Sequence, residues 1–173
     1  VLAACAVRAN IRDNMIVAKL KTAGELAVLR AQMHARGQKL VFTNGCFDLL
    51  HAGHVRYLQA ARALGEALVV ALNGDESVRA LKGPDRPIND ERDRAEIIAG
   101  LACVDFVTIF HEPRVTDVIA KVRPHVYAKG GDYTIESLDP EERAALEAGD
   151  TAIRILPLVP GKSTTATIAK VSS

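Results

Sequence analysis

Apolar residues along this chain switch between two periods. Leu26, Leu29 and Met33 recur at helical spacing behind a Thr22 cap and stop at Gly37, which predicts a helix over 22–36. Residues 39–45 form a short apolar run that reads as a strand. After a tight connection, Val55, Leu58, Ala61 and Leu64 carry a helical stripe from about Gly53 to Gly65. The stretch 67–72 is unbroken apolar sequence of strand length, as expected for a strand covered on both faces.

The same alternation then repeats. Asn73-Gly74-Asp75 turns the chain into a brief helix through Leu81, and the charged loop 82–87 is stiffened by Pro84 and Pro87. Asn89 or Asp90 caps a helix to about Ala102, followed by a strand over 104–109, a helix over 113–122 and a strand over 125–128. Asp139-Pro140 opens a charged helix through Ala148, 153–156 is a fifth strand, and Ser163 or Thr164 caps a closing helix. Strands alternating with helices predict an α/β fold: a Rossmann-like, doubly wound parallel sheet of five strands, helices on both faces, in a single domain. The ligand crevice is expected at the carboxyl ends of the strands. That domain is assigned to 21–173. Residues 1–20 read as an N-terminal leader or tag-derived segment, because 8–14 is polar without a core-forming pattern and Met15 is a candidate start.

Composition narrows the partners. The formal net charge is +1 with 25% charged and 49% hydrophobic residues, so a broad basic surface for nucleic acid or membrane is not expected, and any positive potential is local. No apolar run is long enough to span a membrane. The three cysteines, Cys5, Cys46 and Cys103, have no C-x-x-C spacing and suggest neither a disulfide framework nor a zinc site, which fits a reducing cytoplasm. A homodimer is the base-rate expectation. No G-x-G-x-x-G follows the first strand, which argues against a dinucleotide-dependent dehydrogenase.

The chemistry concentrates after the first strand, in Asn44-Gly45-Cys46-Phe47-Asp48 and His51-Ala52-Gly53-His54. Two histidines three residues apart at a helix start, with Gly53 between them, put imidazole donors beside free backbone N–H groups and a positive dipole end. That arrangement suits a polyphosphate. The order of strand, G-x-F-D turn and H-x-G-H resembles the signature of the HxGH nucleotidyltransferase superfamily. Class I aminoacyl-tRNA synthetases carry a related motif, but their anticodon-binding parts do not fit in this length.

The resemblance implies attack by an acceptor phosphate on the α-phosphate of a nucleoside triphosphate, with His51 and His54 as donors to the phosphates and Lys82 as a third catalytic group. Cationic imidazoles would donate most strongly. Nucleotide-binding roles are expected for Asn44, Gly45, Cys46, Phe47, Gly53 and Arg94, for Lys129, Gly130, Gly131 and Asp132, and for Ser163, Thr164 and Thr165. Arg94 also reads as a structural ion-pair member, and the hydroxyl run as a plain helix cap. Asp48, Asp75 and Arg86 are candidate substrate contacts, although either aspartate also reads as a helix cap. Mg²⁺ is expected to arrive on the ATP phosphates, with no separate protein metal site.

Lys129-Gly130-Gly131-Asp132-Tyr133 together with Gly161-Lys162-Ser163-Thr164-Thr165 is similar to the adenylyltransferases of ADP-heptose synthesis, stand-alone or as half of a bifunctional protein. The resemblance covers nearly all of 25–171 and implies ATP and D-glycero-D-manno-heptose 1-phosphate as substrates. ADP-heptose made in this way feeds lipopolysaccharide core or related glycans. Glycerol-phosphate cytidylyltransferases share the histidine motif but usually have Arg-Thr before the final glycine, where this chain has Leu158-Val159-Pro160. Transfer to glycerol phosphate or another small phosphate, and nucleotide binding without catalysis, are the alternatives.

Overall fold

A computed structural model describes residues 17–131 and 134–157, together with Thr164 and Ile168. In chain order the elements are α1 (Ala23–Ala35), β1 (Leu40–Gly45), α2 (Ala52–Arg62), β2 (Ala67–Asn73), α3 (Asp75–Lys82) and α4 (Glu91–Ala99). They continue with β3 (Phe106–Phe110), α5 (Thr116–Val122), β4 (Val126–Gly130), α6 (Pro140–Ala148) and β5 (Ala152–Leu156). Every strand pairing is parallel, and the order across the sheet is β3-β2-β1-β4-β5.

Local sequence accounts for most boundaries. Thr22 accepts from the Glu25 N–H while Glu25 accepts from the Thr22 N–H, a reciprocal cap that starts α1. Asp90 caps α4 through the Arg92 and Asp93 N–H groups, and Asp139 caps α6 through those of Glu141 and Glu142, with Pro140 in the first turn. β2 lies in the middle of the sheet flank and all of its residues are buried, as its unbroken apolar run requires. β5 is the edge next to β4, and none of its residues is fully buried.

Leu26, Leu40, Phe42, Val69, Ile119 and Leu146 belong to the core under α1, α5 and α6. Val41, Leu58, Val70, Ile98 and Ala128 belong to the core on the other face, under α2 and α4. β1 is central, and the chain runs from it outward through β2 and β3 on one side and β4 and β5 on the other. The crevice of such a sheet opens where this direction reverses, at the carboxyl ends of β1 and β4.

The differences from the sequence expectations are at element ends. α3 continues through Lys82, so that lysine closes a helix instead of lying in the proline loop, and Gly83 at φ 103° ends the helix. α4 stops at Ala99 and α5 starts at Thr116, three residues past Pro113. β3 begins at Phe106, because Val104 donates to the Leu101 carbonyl in the turn before it.

Candidate active site

The β1 end is built by a tight turn. Phe47 sits at φ 44°, in left-handed backbone that is unusual for a residue with a Cβ. Its ring folds back over Gly45, where an added Cβ would lie 2.9 Å from Phe47 Cε2. Gly45 is therefore needed for the packing of Phe47. That ring in turn meets His54 edge-on, with centroids 5.4 Å apart.

His51 is the residue before α2, and His54 lies in its first turn, in keeping with a helix start at about Gly53. Their rings come together, stacked at 3.9 Å between centroids and 15° between planes. The His51 N–H donates to His54 Nδ1 at 3.4 Å, which leaves Nε2 as the protonated nitrogen of neutral His54. Burial, aided by the neighbouring His51, pushes the His54 pKa down to about 4. In the free protein at neutral pH this imidazole is an uncharged N–H donor. His51 Nδ1 is buried and has no hydrogen-bond partner among the described residues. Such an atom calls for a partner from outside the chain.

Thr164 reaches this loop. Its hydroxyl donates to the Leu49 carbonyl at 3.2 Å, two positions before His51, and both Thr164 and Ile168 are helical. Ser163 and Thr165 lie outside the described residues, as does Asp132. Gly53 is buried in the first turn of α2.

Asp48, Asp75, Arg86 and Arg94 are held by protein partners. Asp48 takes the Arg86 Nε–H at 2.5 Å and the N–H groups of Ile88 and Asn89 at 2.8 and 3.0 Å. Its side chain is 1% exposed. Burial works to raise its pKa, but the two amides and the Arg86 guanidinium outweigh that and hold the carboxyl below its ordinary value. Asp48 and Arg86 thus fasten the proline loop to the turn after β1. Arg94 is fully buried: Nη2 donates to Asp75 at 2.7 Å, Nη1 to the Cys46 carbonyl at 2.7 Å, and Nε to the Asn89 carbonyl at 3.1 Å. Of the two readings of Arg94, this geometry is that of the structural ion pair. Lys82 is exposed at the end of α3. Burial raises the Cys46 pKa, so its thiol stays protonated, while its sulfur lies 4.0 Å from Asn73 Oδ1.

At the β4 end, Lys129 Nζ and the Tyr127 hydroxyl both donate to Asn44 Oδ1, at 3.2 and 2.7 Å, tying β4 to β1 across the crevice. Burial lowers the Lys129 pKa, opposed by the charge of Glu142. Gly130 lies against the Tyr57 ring: a Cβ there would lie 2.7 Å from it, so only glycine permits that close approach. Gly131, at φ 123°, makes the turn that follows.

Tyr57 was missed in the sequence. It follows His54 by three positions on α2, and its hydroxyl bridges Thr43 Oγ1 at 2.7 Å and the Ala128 carbonyl at 3.0 Å. The i,i+3 spacing from His54 was the available signal. Glu142 was missed as well, hidden among the charged residues of α6.

A cytidylyltransferase-like family model matches residues 42–166, a span that includes every element described here from β1 onward except the first residues of that strand. The bifunctional protein HldE of Pelobacter propionicus is 51% identical over 153 residues, 88% of this chain and 31% of its own length. That of Trichlorobacter lovleyi is 47% identical over the same shares. The chain thus spans about a third of the length of the curated relatives it matches. Among solved structures, a lipopolysaccharide core biosynthesis protein from Thermoplasma volcanium superposes with a TM-score of 0.57 at 29% identity, covering 71% of this chain and 98% of that one.

Proposed function

Because the chain belongs to the cytidylyltransferase-like family, we propose that it is an adenylyltransferase that moves AMP from ATP to D-glycero-D-manno-heptose 1-phosphate, releasing pyrophosphate. The single observation that carries this reading is the stacked histidine pair at the start of α2, with a buried nitrogen that has no partner among the described residues and with Thr164 bonded to the same loop. The heptose acceptor rests on the Lys129-Gly130-Gly131 stretch and the Ser163-Thr164-Thr165 end, supported by the HldE relatives and by the likeness to the Thermoplasma lipopolysaccharide core biosynthesis protein.

In this reading a phosphate oxygen of the acceptor attacks the α-phosphorus, the bond to the bridging oxygen breaks, and pyrophosphate leaves. The acceptor phosphate is already an anion near neutral pH, so no protein base is required. His51 and His54 donate N–H bonds to the phosphates, where charge builds during displacement. The triphosphate's charge opposes the burial that keeps His54 neutral, and binding draws a proton onto the pair. Lys82, at the exposed end of α3, closes over the departing phosphates. Arg94 and Asp48 act one step away: they fix the Cys46 carbonyl and the 83–89 loop around the site.

Mg²⁺ enters as part of the MgATP substrate and neutralises phosphate charge there. Asp48 and Asp75 are held by Arg86 and Arg94, and among the described residues no group of three or more His, Cys, Asp or Glu could hold a metal. No helix among the described residues is long and apolar enough to cross a membrane, and a cytoplasmic homodimer is part of the proposal. A panel of ATP, CTP, GTP and UTP against the heptose phosphate, glycerol 3-phosphate and phosphopantetheine tests it. Pyrophosphate release with ATP and the heptose phosphate, and the mass of an ADP-sugar product, are expected. A preference for CTP or for another acceptor would replace the reading.

A further inference from the structure

The β1–β4 crevice has a second flank. Tyr127 and Lys129 alternate with Ala128 along β4, so they turn toward α6 while Ala128 and the histidine-bearing helix lie on the opposite face. On the α6 flank a cavity of about 380 Å³ is lined by Arg114, Lys129, Ser137, Asp139 and Glu142 among others. Small-molecule sites are typically about 300–1,000 Å³. Lys129 belongs both to its wall and to the Asn44 bond that ties β4 to β1, so the cavity adjoins the crevice.

Its chemistry mixes donors and acceptors. Glu142 is only 7% exposed, and its carboxylate lies 3.4 Å from the Tyr127 hydroxyl, with its charge felt by Lys129. Arg114 Nη1 pairs with Asp139 at 2.9 Å, and Asp139 already caps α6, so this helix start is acidic and satisfied. A triphosphate needs donors and would be repelled by Glu142 and Asp139. A polyol, whose hydroxyls each donate and accept, fits such a lining. A second cavity of about 460 Å³, beyond β2 and β3, is lined by Asp75, Glu76, Asp90 and Glu91 but also by Arg79, Arg92 and His111, and none of its lining residues comes from β1 or β4.

We propose that the α6 cavity seats the hydroxylated body of the acceptor sugar phosphate, with Glu142 accepting from its hydroxyls and Lys129 meeting its phosphate end. Lys129 thereby moves from the nucleotide side to the acceptor side, and Glu142 becomes the residue that sets acceptor selectivity. The inference rests on the nucleotidyl-transfer reading above.

Glu142→Gln keeps the shape of the side chain and removes its charge. With ATP and D-glycero-D-manno-heptose 1-phosphate as probes, its KM for the sugar phosphate is expected to rise tenfold or more, while KM for ATP stays within twofold. Discrimination against mannose 1-phosphate, which lacks the seventh carbon, is expected to shrink. Arg114→Met, at the exposed mouth of the cavity, provides a second arm that does not depend on the folding of the buried variant: a rise of about threefold or more in the acceptor KM alone is expected. A KM for ATP that rises in step with the acceptor KM, or acceptor constants unchanged in the folded variants, would overturn the assignment while leaving nucleotidyl transfer intact. Absence of turnover by the unaltered chain with every sugar phosphate would overturn both.

Discussion

Replacing Arg94 by Met separates a residue that holds the site together from one that holds the nucleotide. Methionine fills a similar volume, so the change removes charge and hydrogen bonds without opening a large cavity. It strands the Asp75 carboxylate and leaves the Cys46 and Asn89 carbonyls without their charged donor. Breaking a buried ion pair by removing one partner costs about 3–5 kcal/mol. The Asp75 side chain is 25% exposed and water can reach it, which favours the lower part of that range, about 3–4 kcal/mol. A domain of this size loses about 2–4 °C per kcal/mol, so the ligand-free variant should melt about 10 °C lower. Thermal unfolding of the ligand-free protein, followed by near- and far-ultraviolet circular dichroism, measures this. Unchanged melting with ATP affinity lost would refute the reasoning and return Arg94 to the nucleotide.

Other consequences follow from the same contacts. In Asp48→Asn the anchor of the 83–89 loop is weakened, and amide hydrogen exchange at Ile88 and Asn89 should accelerate by about tenfold or more, equivalent to about 1.4 kcal/mol of local stability; protection equal to the unaltered protein would contradict the anchoring role. His54 binds its proton more weakly when folded than when unfolded, so between pH 6.5 and about 4 the unfolded state holds more protons and stability falls as pH falls. The loss should be about 1–2 kcal/mol for this partly exposed ring, read from urea midpoints across that window, and should vanish in His54→Asn. ATP binding at pH 6 should take up protons, seen as a dependence of the binding heat on buffer ionisation enthalpy; heat independent of buffer would argue against phosphate contact with the pair.

The sheet was legible because its strands are short apolar runs and its helices carry strong caps such as Thr22, Asp90 and Asp139, signals that reside in neighbouring residues. The histidine pair was legible for the same reason: strand, turn and helix start are contiguous. What sequence order hid is set by contacts between distant residues. Arg94 reads equally as a nucleotide contact and as an ion-pair member until its partners Cys46, Asp75 and Asn89 close around it. Asp48 shows no sign in the sequence of its partners some 40 residues on. Nothing local to Gly130 announces that the Tyr57 ring packs against it. Glu142 is one of several acidic residues on α6, and only packing singles it out as buried.

The central claim is that the two stacked imidazoles act on a triphosphate bound at the end of β1. Steady-state pyrophosphate release by His54→Ala, with saturating ATP, Mg²⁺ and D-glycero-D-manno-heptose 1-phosphate and with its melting curve as a control for folding, addresses it most directly. The kcat is expected to fall by about two orders of magnitude or more, the scale of losing a transition-state donor, with the fold retained. Turnover equal to that of the unaltered chain would contradict it.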